Sequence, residues 1–309
     1  ISDFGQAALT VKQLKNMKIG VIGKLAGMGD VITDDMAFFR KVGPVFTYDS
    51  IGTVQSCCEK ITKEEIDARV ALDRTIFDMD PNLSYESHAY AVKLYLGIKK
   101  YLEERGYEGY TLHFEECGAD GRFKQLPLLA ASHLMADGYG YAAEGDAVTA
   151  SMVAAAQTLC GNANFSEMYM MDLKRGAILF SHAGEANWST CRKDKKPRLI
   201  DRYLGEGGLD NPPTVIFTPQ PGRATVITLV HVNGDHFRLV CSTGEILEKD
   251  DLRKCEMPYF FFKPDSGVEQ CVTRWLETGG THHEVIVLGD HANRFKMLCK
   301  LLNIEFVQI

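Results

Sequence analysis

The sequence predicts an α/β fold in two parts. A Rossmann-like αβα domain with a mainly parallel sheet is expected over residues 1–161, carrying the first glutamate of a candidate metal set. A β-rich, antiparallel, barrel-like α+β domain is expected over residues 162–309, carrying the rest. Three observations predict this. The first half alternates short apolar runs with helical segments, the pattern of βαβ units. The second half is rich in β-branched and aromatic runs joined by a hairpin signal. An Ala-rich apolar segment ends at Gly161-Asn162, where the character of the chain changes.

The elements follow in order. Lys18-Ile-Gly-Val-Ile-Gly23 is a short apolar run closed by glycine, a buried-strand signal. A glycine-rich turn follows, then a helix from Asp34 to Lys41 and an extended segment from Val45 to Tyr48. Thr62-Lys-Glu-Glu65 is a capping box that opens a helix. Tyr85 to Arg105 is the strongest helical segment, with Val92, Leu94, Leu96, Ile98 and Leu102 on a broad apolar face and Gly106 as its stop. Tyr110 to Phe114 reads as a strand, and Leu126 to Met135 as a helix stopped by Asp137-Gly138. Asp146 to Leu159 reads as a buried helix.

In the second half, Ala177 to Ser181 and Thr214 to Thr218 read as strands. Ala224 to Val232 and His236 to Val240 flank Asn233-Gly234, which predicts a hairpin with a type I′ turn. A strand over Glu284 to Leu288, a helix over His291 to Leu302 and a strand over Ile304 to Ile309 close the chain.

Composition narrows the function. The 309 residues carry 34 basic and 41 acidic side chains, a formal charge of −7. A nucleic-acid binder needs a dense basic face, so this balance points to a small-molecule or cation binder. No apolar stretch reaches the ~18 residues of a membrane span. The nine cysteines are scattered without a C-x-x-C pair, which fits reduced thiols in a cytoplasm. The adjacent Cys57 and Cys58 read as small buried hydrophobes. The chain starts at Ile1 without a signal-peptide pattern, and this start reads as a cut or processed end.

The glycine cluster Gly20, Gly23, Gly27 and Gly29 invites a nucleotide-loop reading, but the patterns fail. Position 32 is Ile where a dinucleotide fingerprint wants glycine, and Lys24 is followed by Leu25 instead of Ser or Thr. A plain βα turn is the better reading. Among acids and histidines, Glu144 lies in Ala143-Glu-Gly-Asp146, Glu167 in Phe165-Ser-Glu-Met-Tyr169, and His182 follows an apolar strand before a glycine. His282 and His283 stand together before another strand; side chains alternate along a strand, so one of the two faces a given pocket. Two carboxylates and two imidazoles suit Mn²⁺ or a similar divalent ion, and the lack of thiolates disfavours structural zinc. Their spacing alone matches no short-range ligand motif.

Longer motifs say more. Tyr107-Glu-Gly-Tyr-Thr-Leu-His-Phe-Glu-Glu116, Lys124-Gln-Leu-Pro127 and Leu134-Met-Ala-Asp-Gly-Tyr-Gly-Tyr-Ala-Ala-Glu-Gly-Asp146 resemble the central region of L-arabinose isomerases. Phe165-Ser-Glu167, Leu179-Phe-Ser-His182, Gly279-Gly-Thr-His-His283 and Ile304-Glu-Phe-Val307 resemble later motifs of the same arabinose/fucose isomerase-like superfamily, in the same order.

The resemblance implies a cytoplasmic, metal-dependent aldose–ketose isomerase acting on a pentose or 6-deoxyhexose through a cis-enediol. It implies Glu144, Glu167, His182 and His283 as ligands of Mn²⁺, with Co²⁺ or Mg²⁺ as alternatives. Glu144 and Glu167 would share the proton transfers, and His282 would lie behind or away from the metal. It also implies a homo-oligomer, trimer or hexamer, and an N-terminal α/β domain that lines the pocket and has no counterpart here.

Three departures bear on the substrate. Ala147-Val148 stand where the family has Trp-Lys, the interval from Glu167 to His182 is two residues shorter, and Ala183-Gly-Glu-Ala-Asn187 is unlike the family pattern. Glu185 and Asn187 are therefore candidates for supporting or substrate contacts. The competing readings are a sugar- or metal-binding homologue without turnover, and a metal-dependent hydrolase or lyase on the same ligands.

Overall fold

The computed structural model describes residues 2–23, 29, 31–118, 121–205, 208–248, 252 and 254–309. The described elements of the first half are α1 (Ser2–Leu14), β1 (Lys18–Ile22), α2 (Asp35–Lys41), β2 (Val45–Asp49), α3 (Ile51–Cys58), α4 (Lys63–Ile76), β3 (Asp78–Met79), α5 (Tyr85–Arg105), β4 (Gly109–Leu112), α6 (Phe114–Gly118), α7 (Leu128–Ala136), β5 (Gly140–Ala143) and α8 (Ala147–Cys160). Then come β6 (Asn164–Asp172), β7 (Ala177–Ser181), a 3-10 turn (Trp188–Thr190), β8 (Arg198–Asp201), β9 (Pro213–Ile216), β10 (Gly222–Asn233), β11 (His236–Ile246), β12 (Tyr259–Pro264), α9 (Val268–Glu277), β13 (His283–Leu288), α10 (Ala292–Leu302) and β14 (Glu305–Gln308).

The architecture is mixed α/β, as the alternation predicts. One sheet is entirely parallel, in the order β2-β1-β4-β5. A second sheet runs β10-β13-β6-β7-β12-β11, and the β10–β11 pairing closes it into a six-stranded antiparallel barrel, with β14 added in parallel to β11. A small third sheet joins β3, β8 and β9. The largest apolar core continues across Gly161: Leu14, Phe38, Ile98 and Tyr110 share it with Leu229, Val285 and Phe295.

Local chemistry explains most elements. The Thr62 capping box forms in both directions and opens α4. Gly106, at φ 64, ends α5 in the left-handed conformation that glycine adopts most freely. Asp146 caps α8, and Gly161 ends it.

Three readings shift. Phe114 opens α6 instead of ending β4, because the strand stops at Leu112. The hairpin turn sits one residue later than Asn233-Gly234. Asn233 pairs with His236, and only Gly234 of the turn has positive φ, because a bulge after His231 displaces the ladder by one residue. That excludes a type I′ turn, which needs positive φ at both central positions. The glycine-rich turn after β1 falls mostly on residues 24–28 and 30, outside the described residues.

No helix among the described residues is long and apolar enough to cross a membrane. All nine cysteines are unpaired, and Cys58 packs so tightly on Gly97 of α5 that a Cβ there would lie 2.2 Å from its sulfur.

The closest approach that matters for the site is β5 on α8. A Cβ on Gly140 would lie 2.1 Å from the carbonyl oxygen of Ala150. Gly140→Ala should therefore push α8 away from the strand that precedes Glu144, at a cost of about 1–3 kcal/mol. Urea unfolding checks this, and an unchanged midpoint would show that the sheet and helix are not in forced contact.

A carboxylate-braced histidine pair at the sheet–barrel junction

Glu144 leaves the C-terminal end of β5, the edge of a parallel sheet where ligands commonly bind. Its backbone N–H donates to Leu112 O at 3.0 Å, and it sits at φ 61, a conformation that costs a non-glycine residue free energy. His283 opens β13 of the barrel and His182 follows the end of β7. One atom from each of Glu144, His182 and His283 comes within 4.8 Å of the other two. These residues are far apart in sequence, and the parallel sheet and barrel bring them together.

Each histidine is braced from behind. Nδ1 of His283 bonds the Asp146 carboxylate at 3.0 Å, and Nδ1 of His182 bonds Glu185 at 2.8 Å. The second oxygen of Glu185 accepts from the Tyr141 hydroxyl at 2.8 Å. Phe165 packs on both imidazoles, tilted against His182 with ring centroids 4.7 Å apart and edge-on to His283 at 5.0 Å. With Nδ1 occupied on both rings, Nε2 is left as the ligand atom. A carboxylate behind each imidazole is the usual support of a metal-binding histidine.

The atoms facing inward fit a cation. Glu144 Oε2 and His283 Nε2 are buried, lie 3.4 Å apart and make no hydrogen bond. Burial would raise the Glu144 carboxyl, but His282, His283 and His182 around it outweigh that and hold it well below the usual carboxylate range. Burial alone would lower His283, yet Asp146 and Glu144 raise it to about 9. Glu185 is also held low despite burial, by His182 and Tyr141.

Glu167 is not part of the three-residue cluster. Its backbone pairs directly with His283 across β6 and β13, so the two side chains share a face. His282 approaches Glu144 more loosely than His283, at 3.7 Å, and is partly exposed. Asn187 faces away into its own turn: its side chain donates to Ala163 O and accepts from Ser189 N. Sequence reading did not single out Asp146, Tyr141 or Phe165. Only Asp146 carried a usable signal, as the acid that begins the Ala-rich helix. A cavity of about 220 Å³ opens beside Glu144, His182 and Glu185, walled by Leu112, Phe114, Leu126, Leu128 and Leu204.

Comparisons with known proteins give the chain's family. Residues 28–162 match the family model of the L-arabinose isomerase central domain, and residues 162–305 that of the L-arabinose isomerase C-terminal domain. The chain belongs to the L-arabinose isomerase family. It is 30% identical over 248 residues to the L-arabinose isomerase of Clostridium beijerinckii, covering 79% of this chain and 50% of that protein. Identity is 34% over 231 residues with that of Pediococcus pentosaceus (71% and 46%), and 31% over 290 residues with that of Flavobacterium johnsoniae (88% and 56%). The chain thus spans about half the length of the curated relatives it matches.

The raised His283 has a pH consequence. Without metal, its proton stabilises the fold fully below the ordinary histidine value of about 6.5, and that contribution is lost as pH rises through about 9. Asp146→Asn should remove much of this slope. Urea denaturation of the metal-free protein between pH 7 and 10 measures it, and equal slopes in variant and parent would contradict the assignment.

Proposed function

We propose that the chain carries the metal centre of an aldose–ketose isomerase acting on L-arabinose or a closely related pentose or 6-deoxyhexose. Supporting this most directly is the pair of carboxylate-braced histidines facing a buried, hydrogen-bond-free carboxylate oxygen beside a sugar-sized cavity. Family membership supplies the reaction class.

In this reading Glu144, His182 and His283 hold a divalent ion, with Glu167 as the fourth ligand from the same face of the barrel. Mixed oxygen and nitrogen donors suit Mn²⁺, with Co²⁺ or Mg²⁺ as alternatives. When bound, such an ion polarises the sugar carbonyl and its neighbouring hydroxyl. The chain's own residues do the rest. Asp146 and Glu185 fix both imidazoles in one orientation. A carboxylate, Glu144 or Glu167, takes the proton from C2 and returns it to C1, while the other moves a proton between O1 and O2. In this reading neighbouring subunits of a homo-oligomer help to complete the pocket.

Incubation with L-arabinose and Mn²⁺ in D₂O tests the proposal. The ketose should carry deuterium at C1, and Glu144→Gln should slow its formation by about 10²–10⁴-fold. No ketose and no exchange across a panel of pentoses and 6-deoxyhexoses would overturn the reading, as would a fully active Glu144→Gln variant.

A further inference from the structure

A second cluster of ionisable side chains lies on the other side of α7, outside the candidate centre. Asp73 of α4 is fully buried. Its carboxylate accepts from Arg69 Nε at 2.8 Å, from His88 Nε2 of α5 at 2.9 Å and from His133 Nε2 of α7 at 3.4 Å. These bonds outweigh the burial and hold the Asp73 carboxyl well below the usual carboxylate range.

His133 is fully enclosed, and burial lowers its proton affinity against the pull of Asp73. Its other nitrogen, Nδ1, receives the indole N–H of Trp188 at 3.1 Å; Arg69 Nη2 lies nearer to Nδ1, at 2.8 Å, than to Nε2, at 3.2 Å. With donors converging on Nδ1 and an anion facing Nε2, one tautomer fits: neutral imidazole with the proton on Nε2.

Trp188 is not an isolated partner. It lies in the segment 182–190, which is pinned twice to consecutive residues of α7. Ala186 N donates to Ser132 Oγ at 3.3 Å, and Trp188 donates to His133. Between His182 and these anchors sits Glu185, which braces the His182 ring. Trp188 also meets Phe77 edge-on, at 5.6 Å between centroids. Burying an aspartate and two histidines costs free energy that apolar packing would avoid, and fixing one geometry is the best-attested return.

We propose that His133 is a positioning residue of the candidate metal centre: Asp73 sets its tautomer, and His133 holds Trp188 and thereby the segment that presents His182 and Glu185. This rests on the reading of Glu144, His182 and His283 as metal ligands, and extends it to a support two contacts removed. Arg69, Asp73, His88 and His133 then serve the site through the 182–190 segment and touch no substrate.

Calorimetric titration of the metal-free intact protein with Mn²⁺ tests it. Trp188→Phe keeps the ring against Phe77 but removes the indole donor, and should weaken Mn²⁺ binding about tenfold, the lower end of what losing a supporting contact does to metal affinity. His133→Phe should do the same. His133→Gln, whose amide can donate to Asp73 and accept from Trp188, should restore binding to within about threefold of the parent. Val92→Ala, which opens the same apolar cluster but removes no hydrogen bond to the segment, should lower thermal stability and leave affinity unchanged. A Trp188→Phe variant that binds like the parent overturns the proposal, and so does a Val92→Ala variant that loses as much affinity as Trp188→Phe. A parent that binds no Mn²⁺ overturns the metal-centre reading itself, and this proposal with it.

Discussion

The Asp146 carboxylate joins the two parts of the molecule. One oxygen accepts from Thr149 N at 2.8 Å and caps α8; the other holds Nδ1 of His283, the first residue of β13, at 3.0 Å. A helix of the parallel layer and a strand of the barrel are thus aligned by one buried side chain. Everything at the junction depends on that alignment. Glu144 can be held at φ 61, with Gly145 beside it at φ 85, because β5 before it and α8 after it are both fixed. Such a residue carries about 1–3 kcal/mol of strain, which persists only where the surroundings over-determine the backbone.

The electrostatics have the same origin. Glu144, Asp146 and Glu185 converge on two imidazoles, an arrangement with an excess of negative charge in a low-dielectric setting. Without a metal, a proton on His283 partly satisfies that excess, which is why its affinity rises to about 9 despite full burial. A divalent cation would displace that proton, so binding and deprotonation are linked. The braces behind the rings matter as much as the inward atoms, since they set which nitrogen is presented.

Much of this was legible in the sequence where local chemistry decides the outcome. The Thr62 capping box, the long α5 helix with its Gly106 stop, and the buried Ala-rich helix α8 all formed as their residues dictate. The alternation of strands and helices gave the parallel layer, and the β-rich second half gave the barrel. Glu144, His182 and His283 were recognisable through longer motifs, not through their own spacing, because they meet only after two sheets pack.

Other features were not legible, for physical reasons. Strand β6 carries Tyr169, Met170 and Met171 exposed in a row, so it lacks the period-two pattern of a half-buried strand. Strand β5 is four residues long and begins with glycine. The hairpin turn moved by one residue because a bulge, invisible in composition, shifted the ladder. Asp73 and His133 look like ordinary polar helix residues until three helices close over them. Glu167 shows the same limit at the site: its strand and face follow from pairing, and its side chain lies outside the three-residue cluster.

A metal centre at the sheet–barrel junction would rest on two histidines presented through Nε2. Pulsed electron paramagnetic resonance of one Mn²⁺ bound to protein carrying ¹⁵N-histidine tests it most directly. Two directly coordinated imidazole nitrogens are expected, one lost in His182→Ala and the other in His283→Ala. Bound Mn²⁺ with no coupling to histidine nitrogen would contradict it.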